Sequence, residues 1–345
     1  MIELKEFSPA ISQKNSFDFL RFLFAFSVFV AHFSTLSTYS AIYWPISSSM
    51  GVAGFFIISG FLITQSYYRS KNLSNYISKR IKRIVPAYVI VVLLCAFLFS
   101  LISTFSLSEY FSSIVFYKYL AANLSFLNFI QPTLPEVFTT NPLPYVNGSL
   151  WTIKIEIALY VLLPVLSYFM KGKKTFFVLI ILYALSYCFI LLMDYLYAIS
   201  DNNGIFLILR RQFIGQIIYF ISGTIIVFYF DQISARIKWI LPISIVIFLL
   251  RYFQLDIEFI NFLYPFSYAI IIIFFAYKVK GLANFSKYGD ISYGFYLFHF
   301  PVIQFFVHLR IFNENAALLF CTCLFATTVL SFLSWAFVEK RWLKR

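Results

Sequence analysis

Apolar runs about as long as a bilayer is thick recur along this chain, and no other feature restricts its fold as strongly. Crossing the hydrocarbon takes about 20 apolar residues in an α-helix. Such runs lie near residues 17–36, 46–68, 84–106, 150–169, 175–193, 212–230, 239–251, 258–277, 291–309 and 316–338, the seventh being short. In lipid every backbone polar group must be satisfied internally, so the runs should be helices. The composition agrees. Only 12% of residues are charged, against about a quarter in a soluble domain, and the 22% of aromatic residues suits rings placed at both membrane interfaces. The expectation is an all-α integral membrane protein, a single domain over residues 1–345 built as a bundle of about ten transmembrane helices. No small-residue cleavage site follows the first run, which reads as a signal anchor and first span.

The net charge of +13 would suit a nucleic-acid partner if it sat on one basic fold. Instead the Lys and Arg residues form short clusters between apolar runs. Lys5 and Lys14 precede the first run, and Arg69, Lys71, Lys79, Arg80, Lys82 and Arg83 precede the third. Further clusters lie at Lys171 to Lys174, at Arg236 and Lys238, at Lys278 to Lys287, and from Lys340 to the end. The alternate connections hold only Lys118, Arg210, Arg211, Arg251 and Arg310. By the positive-inside rule both termini are cytoplasmic. Residues 1–16 then form a cytoplasmic N-terminus, 339–345 a cytoplasmic tail and 107–149 an outer connection. Pro132, Pro135, Pro142 and Pro144 mark that connection, and long connections are often lids or binding loops. Cys95, Cys188, Cys321 and Cys323 all fall in apolar runs and read as packing residues, not as a disulfide framework.

Ionisable residues inside a span are costly and mark candidate functional sites. In the first span Arg21 and His32 are eleven residues apart, about three turns and about 16 Å of rise, so they share a helix face. Asp18 lies one turn before Arg21 and can pair with it. The plainer alternatives are a snorkelling anchor for Arg21 and an interhelical hydrogen bond for His32. Gly51, Gly54 and Gly60 in the second span favour close helix packing. Arg80 and Arg83 share a face ahead of Pro86 and suit phosphates, or serve only as topology charges. Pro86 fits the first turn of the third span. Glu156 lies within the fourth span, one turn past Thr152. It must be paired or protonated there, as a structural partner or with a direct role. His299 is a second intramembrane histidine, and His308 sits at the outer edge. No further side chains have ligand spacing around them, so no metal is expected.

Taken together, these stretches resemble the acyltransferase family 3 membrane proteins. Asp18-x-x-Arg21 and Arg21-x10-His32 match the first-helix signature. Ser59-Gly60-Phe61-Leu62-Ile63, Arg80-x-x-Arg83-Ile84-x-Pro86-x-Tyr88, Ser149-Leu150-Trp151-Thr152 with Glu156 and Tyr160, and Ile291-Ser292-Tyr293 through His299-x-Pro301 follow in family order. Ala53 and Ile157 stand where many members carry acidic residues, and the chain resembles a stand-alone member without a fused esterase-like domain. The resemblance implies an enzyme of the bacterial inner membrane. Acetyl-CoA would be the cytoplasmic donor, and a surface polysaccharide or its lipid-linked precursor (O-antigen, capsule or exopolysaccharide) the acceptor. Arg80, Arg83, Tyr88 and Ser59 would then serve the donor. His32 would act as general base, Arg21 with Asp18 would orient the donor or stabilise oxyanion charge, and Glu156 or His299 would orient His32 or relay a proton. The rival expectations are acylation of a small molecule and a transporter or flippase of lipid-linked sugars, which would favour repeats or broken helices.

Overall fold

The computed structural model describes residues 14–37, 39, 42–255, 257–312 and 315–343. Lys5, Lys344, Arg345 and most of the N-terminal segment lie outside the described residues. Secondary structure among those described is entirely helical. The α-helices are α1 Phe17–Leu36, α2 Ser48–Tyr68, α3 Leu73–Leu98, α4 Leu107–Ser112, α5 Ile114–Leu124, α6 Trp151–Phe169, α7 Lys174–Ile199, α8 Ile205–Arg210 and α9 Phe213–Phe228. They continue with α10 Phe230–Ala235, α11 Ile237–Tyr252, α12 Glu258–Lys278, α13 Ser292–Leu309, α14 Ala316–Ser334 and α15 Lys340–Leu343.

Among the described residues, 8 helical segments are long and apolar enough to cross a membrane. Two of the runs read from the sequence form helices outside that set. The 16-residue α11 is short. In the 18-residue α13, polar side chains such as His299, Gln304 and His308 dilute the apolar residues. The third span differs more. Its helix begins at Leu73, not near Ile84, so the basic stretch is helical and Pro86 lies in the helix interior. Asn72 explains the early start. Its side-chain oxygen accepts from the Asn75 amide at 2.8 Å, capping the helix before the basic run, and Lys and Arg are good helix formers.

The chain divides into two compact units. One comprises Met1–Leu20, Val52–Ile77 and Ile155–Asn284. Here α7 packs on α9 and α11 on α12, while α2 and α9 meet almost backbone to backbone. A Cβ on Gly60 would lie 1.9 Å from the Phe220 carbonyl oxygen, so only glycine permits this approach. Thr64 and Thr224 then share a hydrogen bond of 3.1 Å across the seam, as small and hydroxylated residues do between membrane helices. The second unit comprises Arg21–Gly51, Ser78–Lys154 and Phe285–Arg345. In it α13, buried from Gly294 to Gln304, packs on α14.

Prolines inside helices create a need that other segments fill. Lacking an N–H, each leaves the carbonyl four residues earlier without its helical partner. In the first unit Pro164 orphans the Tyr160 carbonyl, and the Tyr76 hydroxyl donates to it at 3.0 Å. In the second unit Pro301 orphans the Leu297 carbonyl, and the Asn147 side-chain amide donates to it at 2.9 Å. The connection of residues 107–149 is thereby tied to α13. Gln304 adds a second tie, donating to the carbonyls of Leu143 and Tyr145 at 2.6 Å each and accepting from Asn141 at 2.8 Å.

Asn147→Ala should lower the thermal unfolding midpoint of the full chain in lipid nanodiscs, because a buried, unpartnered carbonyl costs about 1–3 kcal/mol. Replacing exposed Lys118 with Ala is the control. A midpoint for Asn147→Ala equal to that of the control would contradict the carbonyl repair.

Candidate active site

Two levels of polar side chains lie in the second unit, and the direction of the helices relates them. From Arg21 to His32, α1 climbs about 16 Å. On α13 the chain likewise passes from Asp290, just before the helix, to His299. The charged residues meet at one level and the histidines at the other, so α1 and α13 run parallel there.

Asp290 organises the charged level. One carboxylate oxygen accepts from the amide and hydroxyl of Ser292 at 3.2 and 2.6 Å, which caps the start of α13. The other lies 2.6 Å from Arg83 and 3.4 Å from Arg21. A second carboxylate, Glu339, approaches Arg83 at 3.9 Å, and the Ser334 hydroxyl donates to it at 3.0 Å. A single π-turn over Trp335–Glu339 brings Glu339 there, in keeping with the functional placement of such bulges. Gly289 opens the path to Asp290. Its φ is +146°, and a Cβ would lie 2.3 Å from the Trp335 ring, so no other residue fits. Tyr293 lies under the Arg83 guanidinium, 5.9 Å from ring centroid to Cζ, and donates to the Ile84 carbonyl at 3.0 Å. Burial works to raise the Asp290 pKa. The guanidiniums of Arg21 and Arg83, with the Ser292 hydroxyl, outweigh that and hold the carboxyl well below its usual range.

At the histidine level His32 Nδ1 lies 2.8 Å from His299 Nε2. The rings are nearly coplanar, 8° apart at a centroid distance of 5.1 Å, and meet edge to edge through these two nitrogens. His299 is fully buried, and His32 keeps part of its surface. Phe300 packs edge-on against His32 at 5.0 Å, and Tyr296 packs against His299 at 5.7 Å. The stretch Ser149–Thr152 abuts the same turn of α13. Thr152 and Tyr296 share a hydrogen bond of 2.8 Å, and the Tyr296 hydroxyl donates to the Ser149 carbonyl at 3.1 Å.

Of the residues singled out in the sequence, Arg21, His32, Arg80, Arg83, Tyr88 and His299 belong to this unit. Arg80 is partly exposed one turn before Arg83. The Tyr88 hydroxyl is committed to the Asn123 carbonyl at 2.9 Å. Asp18, Ser59 and Glu156 belong to the other unit. There Glu156 accepts a hydrogen bond from Tyr160, and the buried Ser59 hydroxyl has no hydrogen-bond partner among the described residues. Sequence reasoning missed the carboxylates Asp290 and Glu339. The one trace in the sequence is that each borders an apolar run; which arginine each meets is not written there. Among the described residues, no three His, Cys, Asp or Glu side chains are grouped to hold a metal.

Among the described residues, helices of which 8 are long and apolar enough to cross a membrane carry an arginine–carboxylate level and a joined pair of imidazoles. The chain belongs to the acyltransferase domain family, which matches residues 14–336, and it is an acyltransferase. It is 28% identical to an O-acetyl transferase of Shigella phage Sf6, over 96% of this chain and 97% of the relative. It is 30% identical over 163 residues to nodulation protein 10 of Rhizobium leguminosarum bv. viciae, an overlap covering 44% of each. No solved structure matches the chain.

Asp290→Asn should destabilise the full chain by about 3–5 kcal/mol, the usual cost of leaving a buried charge unpaired. Adding Arg83→Gln should recover part of that loss. The sign with pH follows from the depressed pKa: the Asp290 contribution is complete above the ordinary value of 3.8 and is lost as pH falls below it. The gap in thermal unfolding between wild type and Asp290→Asn should therefore stay constant from pH 7 to about pH 5, begin to narrow only below the ordinary carboxylate value, and still be largely open at about pH 3.

Proposed function

We propose that this chain is a membrane O-acetyltransferase of the bacterial inner membrane. It takes acetyl from cytoplasmic acetyl-CoA and places it on a hydroxyl of a cell-surface polysaccharide or its lipid-linked precursor. The observation that carries this reading is the contact between His32 and His299, which sets a partly accessible imidazole against a buried one that can orient it. The named activity of the Shigella phage Sf6 relative over nearly the whole chain supports the acetyl assignment. Family membership favours it over a transporter of lipid-linked sugars.

The topology goes with it. α11 and α13 complete ten spans with both termini cytoplasmic, and the parallel course of α1 and α13 suits a first and a ninth span. Arg80 and Arg83 then face the cytoplasm, where their guanidiniums take the pyrophosphate and 3′-phosphate of coenzyme A. Asp290 and Glu339 keep the Arg83 fork in one orientation. In the transfer, the acceptor oxygen bonds to the thioester carbonyl carbon while His32 removes its proton. Arg21, about 16 Å from His32 along α1 and paired with Asp290, orients the donor from the charged level. The C–S bond then breaks, and the thiolate takes the proton from His32 and leaves as the CoA thiol. No other reactant is consumed.

His32→Ala should abolish ester acetyl groups on surface glycans, compared by NMR between cells expressing wild type and variant at equal levels. Loss of a general base costs about 10²–10⁴ in rate, and undiminished acetylation would remove His32 from this role. Sidedness is checked separately in a cysteine-free chain. A cysteine at Lys118 should react with impermeant thiol reagents on intact cells, and one at Lys79 only after permeabilisation. The reverse pattern would invert the topology.

A further inference from the structure

The imidazole pair is joined in a way that fixes where each proton sits. His299 Nδ1 lies 3.2 Å from the Phe295 carbonyl oxygen, one turn back along α13. A carbonyl oxygen only accepts, so His299 Nδ1 carries hydrogen. A neutral imidazole has one N–H, which leaves His299 Nε2 with a bare lone pair. The atom facing that lone pair, at 2.8 Å, is His32 Nδ1, which must therefore donate. His32 is left with its own lone pair on Nε2.

We infer that His299 is a positioning residue that holds His32 in the Nδ1–H tautomer, making Nε2 the atom that takes the acceptor's proton. This rests on the role proposed for His32. A carboxylate or carbonyl usually orients a working histidine. An imidazole does so without adding charge, which suits apolar surroundings where an unpaired carboxylate is expensive. The near-parallel rings set the His32 plane, and Phe300 holds it from the side. The Tyr296 hydroxyl does not compete for either ring, because Ser149 and Thr152 engage it. When Nε2 takes the hydroxyl proton, His32 becomes imidazolium with its Nδ1–H still directed at the His299 lone pair, so the charge is shared by two rings. Transfer of the Nε2 proton to the thiolate restores the starting tautomers, and no proton is gained or lost by the pair.

The test is nitrogen NMR on the full chain in lipid nanodiscs with ring-¹⁵N histidine. The sequence has 3 histidines, so single substitutions assign every signal. At neutral pH both His32 and His299 should show a protonated Nδ1 and a bare Nε2. His299→Leu should release His32 to the Nε2–H tautomer favoured in water. His299→Gln, whose side-chain carbonyl can accept from His32 Nδ1, should retain Nδ1–H. Glycan acetylation should fall at least about tenfold in His299→Leu and only a few-fold in His299→Gln, since the protonation state at the base governs general-base efficiency. Hydrogen on His32 Nε2 in the wild type would overturn the inference, as would a His32 tautomer indifferent to His299→Leu. Should the tautomers be as stated while His32→Ala still acetylates, the failure would lie with the proposed role of His32, not with the geometry of the pair.

Discussion

The second unit depends on one carboxylate. Asp290 sits where two arginines enter apolar helices, and an unpaired guanidinium there is expensive. By lying 2.6 Å from Arg83 and 3.4 Å from Arg21, it joins α1, α3 and the start of α13 at one level. Once that level is set, helical rise does the rest. The residues eleven past Arg21 on α1 and nine past Asp290 on α13 arrive at a similar height, and these are His32 and His299. A register slip of one residue would turn either ring by about 100° and part them. The ion cluster thus positions the imidazoles from a distance.

The connection between α3 and α6 is held by a different need. Pro301 stands two residues beyond His299, and the carbonyl it orphans lies two residues before His299. Asn147 repairs that carbonyl from this connection. The helix defect and its repair therefore flank the buried histidine, and the Ser149–Thr152 stretch that follows Asn147 is fixed against Tyr296. The ordering of a proline-rich segment and the placing of His299 are one event. Gln304 reinforces it one turn further along by satisfying two loop carbonyls that no helix or strand serves.

Much of this was legible in the residues. Runs of apolar side chains located the helices because lipid leaves the backbone few alternatives, and the largest boundary difference is at α3. Its apolar run starts near Ile84 with Pro86 in the first turn, whereas the basic residues before it are helical too and Asn72 caps them. Arg21 and His32 were legible as one face because spacing within a helix fixes direction. Asp290 and Glu339 were not. Their importance comes from which arginine they meet, and Arg83 and Glu339 are remote in sequence. Glu339 also depends on a local π-turn, which leaves no periodic trace.

By itself the sequence determined that the chain is a helical membrane protein, where most helices run, and that Arg21, His32 and His299 are ionisable groups in apolar segments. These follow from local composition and from the fixed geometry of an α-helix. Only the tertiary structure decided that the two histidines touch, that Asp290 joins the arginines of α1 and α3, and that Asn147, remote in sequence, completes α13. Each of these is a contact between side chains or carbonyls far apart in the chain. Such contacts arise from the requirement that buried charges and broken backbone ladders find partners, and the identity of the partner depends on which helices pack together.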